Sequence, residues 1–232
     1  MGKLSLLGVG GLSNIDTSLI VDLEPDSGFV LNGGNASQWT DKTSFGNNFT
    51  QSVVANQPIY NAAGMNGHPC LEFAGDSMGI AYNDSLLLAQ SPFSISAWVE
   101  FNSLASYSPI LSIGGSNDYG CFLWMPGGGW SWYDGSGVLA LLNSVAINTW
   151  YHITAVRDVD NNLTIYFNDG SVASAARAFN FDVPGRGLML GINASELGQT
   201  FKGNIGTLKI YKRGLSIEEI AEKYNADLAK YF

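Results

Sequence analysis

One stretch, Phe93–Phe101 (FSISAWVEF), constrains the fold more than any other. Its side chains alternate without a break. Phe93, Ile95, Ala97, Val99 and Phe101 fall on one side, and Ser94, Ser96, Trp98 and Glu100 on the other. A period of two is the mark of a β-strand with one face on a core. Trp98 sits among the polar positions, so the second face is expected to be covered too.

Further strands are expected at 70–73, 110–113, 120–124, 150–157, 163–168, 188–192 and 203–211. Turn clusters separate them: Gly114-Gly115-Ser116-Asn117, Gly127-Gly128-Gly129, Asp134-Gly135-Ser136-Gly137, Asp160-Asn161-Asn162 and Asn168-Asp169-Gly170. Strands this frequent, with no helix between them, indicate a sandwich or jelly roll. Composition agrees, because 28 Gly, 12% aromatic and only 13% charged residues suit short strands and tight turns rather than surface helices. The 232 residues are within reach of one all-β domain.

The C-terminus reads differently. Ser216 is a good helix N-cap, Glu219 completes a capping box, and Leu215 can staple onto Ile220. Ile217, Ile220, Ala221, Tyr224, Leu228 and Tyr231 recur at helical spacing, so a helix over 216–231 should lay one apolar stripe on a sheet or a neighbouring subunit. At the other end, residues 1–14 (MGKLSLLGVGGLSN) are apolar, Gly-rich and nearly uncharged. They read either as an edge strand or as an arm docked on another chain, with a single domain over 15–232. The run from Leu4 to Leu12 is too short to span a bilayer and lacks a small-residue cleavage site, so neither membrane insertion nor export by a cleaved leader is expected.

The net charge of -9 is uneven. Up to Val156 there are two basic residues (Lys3 and Lys42) against eleven acidic ones, and from Arg157 onward nine of each cancel. A nucleic-acid partner needs a basic face, which this distribution does not supply. Cys70 and Cys121 have no metal or redox spacing and read as two buried thiols, with a bridge open only if their backbones come close.

Several segments together resemble laminin G-like domains of the concanavalin A-like lectin/glucanase jelly rolls. The segment Phe201-Lys202-Gly203-Asn204-Ile205 through Ile210-Tyr211-Lys212-Arg213-Gly214-Leu215-Ser216 to Glu219-Ile220 resembles the closing motif of that family. Ser94–Val99 is similar to its first central strand. Trp150-Tyr151-His152, followed by Tyr166-Phe167-Asn168-Asp169-Gly170, is similar to its W-x-H strand and hairpin. Residues 38–48 and 66–73 resemble its opening. The resemblance runs from about Ile20 to the C-terminus. It implies an all-β, antiparallel two-sheet jelly-roll sandwich with a C-terminal α-helix, and it says little about ligand.

Catalysis finds little support. The glucanase members carry an E-x-D-x-x-E strand that presents two carboxylates on one face, and that spacing does not occur here. His68 and His152 have no G-x-S-x-G serine to serve. A Ca²⁺ site is implied by many relatives, and Asp41, Asn47, Asp76, Asp84, Asp118 and Asp134 are the loop oxygens that could supply one. Gly206 and Thr207 stand where relatives place an acidic pair, and dispersed loop Asp and Asn are ordinary turn formers.

The densest aromatic stretch, 122–133 (FLWMPGGGWSWY), is the candidate glycan site: Trp124, Trp130, Trp132 and Tyr133 for the apolar side of a pyranose, Asp118 and Asp134 for its hydroxyls. The competing reading makes Trp130 and Trp132 fillers of one sheet face, with Trp124 filling the same face from the paired strand, and a third makes the stretch a subunit interface. The functional expectation is a non-catalytic structural or adhesive protein. It is taken as a phage virion surface or decoration component that contacts other virion proteins or itself through the N-terminal arm, with a cell-surface glycan as further partner. The alternative is a carbohydrate-binding module on a bacterial cell surface or outside the cell.

Overall fold

The computed structural model describes residues 16–86, 88, 92–104, 107–115, 118–125, 129–133, 138–141, 145–168, 170–176, 187–193 and 198–232. The chain runs β1 (Leu19–Leu23), β2 (Phe29–Asn32), β3 (Asn35–Trp39), β4 (Phe49–Thr50), β5 (Ile59–Met65), β6 (His68–Ala74), β7 (Met78–Ile80), β8 (Phe93–Phe101) and β9 (Ser108–Gly115). It continues through β10 (Asp118–Met125), β11 (Gly129–Tyr133), β12 (Val138–Leu141), β13 (Trp150–Arg157), β14 (Asn162–Phe167), β15 (Gly170–Ala176), β16 (Leu188–Leu190) and β17 (Lys202–Tyr211) to α1 (Ile217–Tyr231). Every pairing between these strands is antiparallel.

The strands form two layers of one curled sheet. The first runs β15-β14-β13-β8-β17, with β1 and β6 sharing the far edge of β17 and β5 outside β6. The second runs β2-β3-β4-β7-β16-β9-β10-β11-β12. Among the described residues a single pairing, Asn35 with Ile59, joins the two. Between the layers lies one core. The five apolar residues of β8 meet Ile153 and Ala155 of β13, Ile205, Leu208 and Ile210 of β17, and Leu188 and Leu190 of β16. The all-β, antiparallel two-sheet jelly-roll sandwich with a C-terminal α-helix is therefore what the chain forms.

Glycines decide two close approaches. Gly203 of β17 leaves no room for a side chain, because a Cβ there would fall inside the Glu100 carbonyl oxygen of β8. Gly191 has φ +79, and its Cβ would lie 2.5 Å from the Phe73 ring. That is why the strand expected over 188–192 stops at Leu190, with Ile192 making only an isolated bridge to Thr200. The Asn-rich turns behave as their composition suggests: Asn161 and Asn168 adopt φ of 64 and 55.

The second face of β8 is covered, and α1 covers it. Trp98 stacks on Tyr224 with ring centroids 5.5 Å apart and donates from Nε1 to Asp227 at 3.2 Å. The capping box forms as expected: the Glu219 N–H donates to Ser216 Oγ, and the Ser216 N–H to Glu219 Oε2. Leu215 and Ile220 share a small cluster with Val156 and Tyr211. The buried stripe is shifted from the expected one. Ile217 and Leu228 are exposed, and the residues that α1 buries are Ile220, Asp227 and Tyr231. A buried aspartate belongs there because the Lys209 ammonium and Trp98 Nε1 await it, which apolar periodicity cannot register.

Below α1 sits a charge cluster. Glu24, just past β1, accepts from Lys42 at 2.8 Å, Lys209 at 2.8 Å and Lys230 at 2.9 Å, and Lys209 also lies 3.6 Å from Asp227. Burial pushes the Glu24 carboxyl upward, but the three ammonium groups outweigh it and hold the group well below the usual carboxylate range. Strand, sheet edge and helix are thus clasped at one point.

Candidate functional site

The tryptophans singled out from the sequence divide. Trp130 and Trp132 of β11 are 0% and 1% exposed. Trp130 packs on Phe101 and Phe122, and Trp132 on Phe93 and Phe122. A pyranose stacks only on a ring face that reaches solvent, so these two are core side chains and not the sugar platform the sequence suggested. Trp124 pairs with Trp130 across β10–β11, and Tyr133 pairs with Cys121. The side chains of Asp118, Trp124 and Tyr133, and all of Asp134, lie outside the described residues.

The described oxygens among those considered for Ca²⁺ do not converge as a site, and the Asp118 side chain and Asp134 lie outside the described residues. Asp41 and Asn47 come together, but the Asp41 carboxylate already accepts from the N–H groups of Asp22, Thr43 and Asn47 and from the Thr43 hydroxyl. Asn47 in turn is bonded to the Ile20 carbonyl, Ser85 and Asn83. This network stitches the 41–48 loop to β1 and offers a cation no vacant lone pairs. Asp76 accepts from the Ala74 N–H elsewhere. Among the described residues no group of three His, Cys, Asp or Glu could hold a metal.

His152 forms a pair that sequence reasoning did not foresee. Its Nδ1 faces the Asn168 carbonyl at 3.4 Å, which can only accept, so Nε2 accepts from Ser96 Oγ at 2.7 Å. Burial drives the imidazole pKa down to about 4. The pair resembles half of a hydrolytic triad in connectivity alone. It lies buried in the sheet, with the Trp98 and Tyr224 rings against His152, and among the described residues no carboxylate hydrogen-bonds to the imidazole. Cys70 is a free buried thiol, pushed up to about 12 by burial and by Glu100 and Glu72.

Two surface features remain. On the second layer, Gln38, Thr50, Gly79, Met189, Ser112, Cys121 and Tyr133 stand opposite one another strand by strand, so their Cα positions form one row across the outer face. Over that row lies a cleft of about 390 Å³ lined by Ser37, Thr50, Gln51, Ser52, Gly79 and Met189. Its lining is uncharged. Its floor is low because position 79 carries no side chain, and a Cβ there would meet Met189 Sδ at 2.5 Å. Gln51 is held by donating to the Ser77 carbonyl at 2.9 Å. On the first layer, Trp150, Glu100, Asn204 and Glu72 form a second cross-strand row, past the end of α1. Neither row is visible as a spacing, because each draws its members from separate strands.

A sequence model of the concanavalin A-like lectin/glucanases superfamily matches residues 74–221. The chain belongs to that superfamily. A search of curated proteins finds no significant relative. Among solved structures, domain 4 of the extracellular arabinanase AbnA from Geobacillus stearothermophilus, in complex with arabinotriose, matches with a TM-score of 0.65 at 18% identity, over 88% of this chain and 97% of that one. The binding domain of Paraclostridial Mosquitocidal Protein 1 matches with a TM-score of 0.66 at 16% identity, over 91% of this chain and 53% of that one. The CBM40 of Ruminococcus gnavus IT-sialidase, bound to α2,3-sialyllactose, matches with a TM-score of 0.54 at 17% identity, over 67% and 96%. This superfamily member thus spans about half the length of the toxin binding domain. At such identities the likeness is one of fold.

Proposed function

We propose that this superfamily member is a non-catalytic glycan-binding module that serves adhesion. The observation that carries the reading is the cleft over Thr50, Gly79 and Met189. It opens on the outer face of the second layer, opposite the face that α1 roofs. It combines exposed hydroxyls, a fixed amide, a thioether and a bare glycine floor, with no charge. Sugar sites need such convergent neutral hydrogen-bonding groups beside an apolar surface. Fold neighbours that hold arabinotriose and sialyllactose support the reading. Tyr133 stands in the cleft's cross-strand row, so the proposed site runs along that row toward β11.

The test is a glycan array probed with the whole chain, with Thr50→Val, Ser52→Ala and Gln51→Ala as variants. Binding of defined oligosaccharides that falls at least tenfold in these variants, with no release of reducing ends on long incubation, is the expected result. Hydrolysis of a bound polysaccharide that survives further purification would overturn the non-catalytic reading.

The setting we propose is a particle or cell surface: a virion component presented through residues 1–14 or, in the second reading, a bacterial surface or extracellular module. The fold neighbours bear on glycan binding and not on the virion, which rests on the apolar, Gly-rich character of residues 1–14. Removing that segment should abolish attachment to particles or self-association while leaving sugar binding intact. No helix among the described residues is long and apolar enough to cross a membrane.

A further inference from the structure

The outer face of the first layer carries a group of side chains that neither the core nor the clasp under α1 uses. Trp150 of β13, Glu100 of β8, Asn204 of β17 and Glu72 of β6 stand directly opposite their neighbours, so their side chains share one face in a single row. The next row inward, Trp98 with His152, is roofed by α1. Phe232, just past α1, is 44% exposed, and its ring lies 4.6 Å from Trp98 and edge-on to Trp150 at 6.5 Å. The result is a ledge that begins where the helix stops. It has aromatic rings at one end and polar groups along its length.

The polar groups are held at one end and open at the other. Asn204 is 6% exposed, donates from Nδ2 to Glu100 Oε2 at 2.6 Å, and turns its Oδ1 to the Cys70 thiol at 3.8 Å. That bond fixes the Glu100 carboxylate and leaves its second oxygen accepting from nothing among the described residues. Glu72, half-buried on the other side of Asn204, makes no hydrogen bond or ion pair with any described residue. Two carboxylates flanking one amide on adjacent strands destabilise a sheet by repulsion, and among the described residues no lysine or arginine pairs with either. Lys202 is exposed two residues before Asn204 on the same strand and so stands on the same face. Stability alone gives no reason for this arrangement.

We infer that this ledge is a second saccharide site, separate from the cleft on the opposite layer, and that it takes an uncharged di- or trisaccharide. The inference rests on the glycan-binding reading and adds a site to it. The carboxylate oxygens accept from sugar hydroxyls, and the Trp150 and Phe232 rings receive the C–H face of a pyranose. Three interstrand gaps make the row about 14 Å long, which suits two or three rings in line. Two carboxylates against one ammonium repel an acidic sugar. With one site on each outer face, a single molecule can bridge two glycans, which is the property an adhesive protein needs.

The experiment uses the full chain on an array of neutral arabino-, gluco-, galacto- and manno-oligosaccharides with sialylated counterparts, followed by calorimetry on the best binder. The ledge predicts two sites per chain for a neutral sugar. Trp150→Ala removes one of them and weakens it at least tenfold. Glu72→Gln weakens the same site several-fold while leaving the melting temperature unchanged or raised, which keeps the test decisive if the tryptophan variant folds poorly. The cleft variant Thr50→Val leaves that site untouched. One site per chain, lost with Thr50→Val and indifferent to Trp150→Ala and Glu72→Gln, overturns the ledge and leaves the glycan reading standing. Binding of sialylated sugars alone at the ledge overturns the uncharged class. No binding to any sugar overturns both readings.

Discussion

Replacing Glu24 by Gln tests the clasp under α1 most directly, because it removes a charge and keeps the volume. Glu24 has a side chain only 9% exposed, and Lys209, 16% exposed, lies 2.8 Å from it. Breaking a buried pair leaves an uncompensated ion and costs about 3–5 kcal/mol. Here Asp227, 3.6 Å from the Lys209 ammonium, remains to receive it, which sets the loss at the lower end, about 3 kcal/mol. Lys42 and Lys230 add little. Their side chains are 39% and 43% exposed, such pairs contribute about 0.2–1 kcal/mol each, and both keep Asp26 at 3.5 and 3.6 Å. For a chain of this size that loss lowers Tm by roughly 6–12 °C. The sign with pH follows from the depressed carboxyl. A group with a lowered folded pKa stabilises fully above its unfolded value, about 4.3, and loses that contribution as pH falls below it. The gap between wild type and Glu24→Gln, measured by urea unfolding followed by circular dichroism, should be full at about pH 7 and shrink near about pH 3. A loss under about 1 kcal/mol, or a gap of equal size at both pH values, would refute the clasp.

Three further outcomes follow from the same packing. Gly203→Ala should abolish folding, seen as loss of the strand signal in circular dichroism, because the new methyl meets the rigid Glu100 carbonyl; Gly206→Ala should be milder, since its methyl meets the Met65 thioether, which can swing away. His152 is buried neutral with a pKa lowered to about 4, so wild type should lose stability as pH drops from about 6.5 toward 4, the protonated form being favoured only after unfolding; His152→Gln should lack that slope in pH-dependent melts. Trp130→Ala should cost about 3–5 kcal/mol in stability, as a core cavity does, and leave sugar affinity unchanged wherever the protein is still folded; a selective loss of affinity would return Trp130 to a ligand site.

Much of the fold was legible because its signals are local. The β8 alternation, the Asn and Gly turns and the Ser216–Glu219 capping box each depend on neighbours within a few residues, where backbone geometry and side-chain period leave little choice. Trp98 on the polar side of β8 was enough to announce a cover. Strands β1 to β5 were less legible. Strands β1 to β4 have two to five residues, β2 and β5 show few buried side chains, and β1 takes its place by pairing with the distant β17, so their period is faint.

The surface features were out of reach for a related reason. An aromatic cluster in sequence says that rings are near one another, not which side of the sheet they take, and Trp130 and Trp132 took the inner side, where they pack on Phe93, Phe101 and Phe122. The charge on Asp227, the unshared Glu72 and the row from Trp150 to Glu72 all depend on partners scores of residues away. The sequence by itself determined the layers, the turns and the helix, since these arise from short-range periodicity and propensity. Only the tertiary structure decided which face was roofed and which side chains were left open to a ligand, because strand register and the seat of α1 are settled by long-range packing that no local pattern encodes.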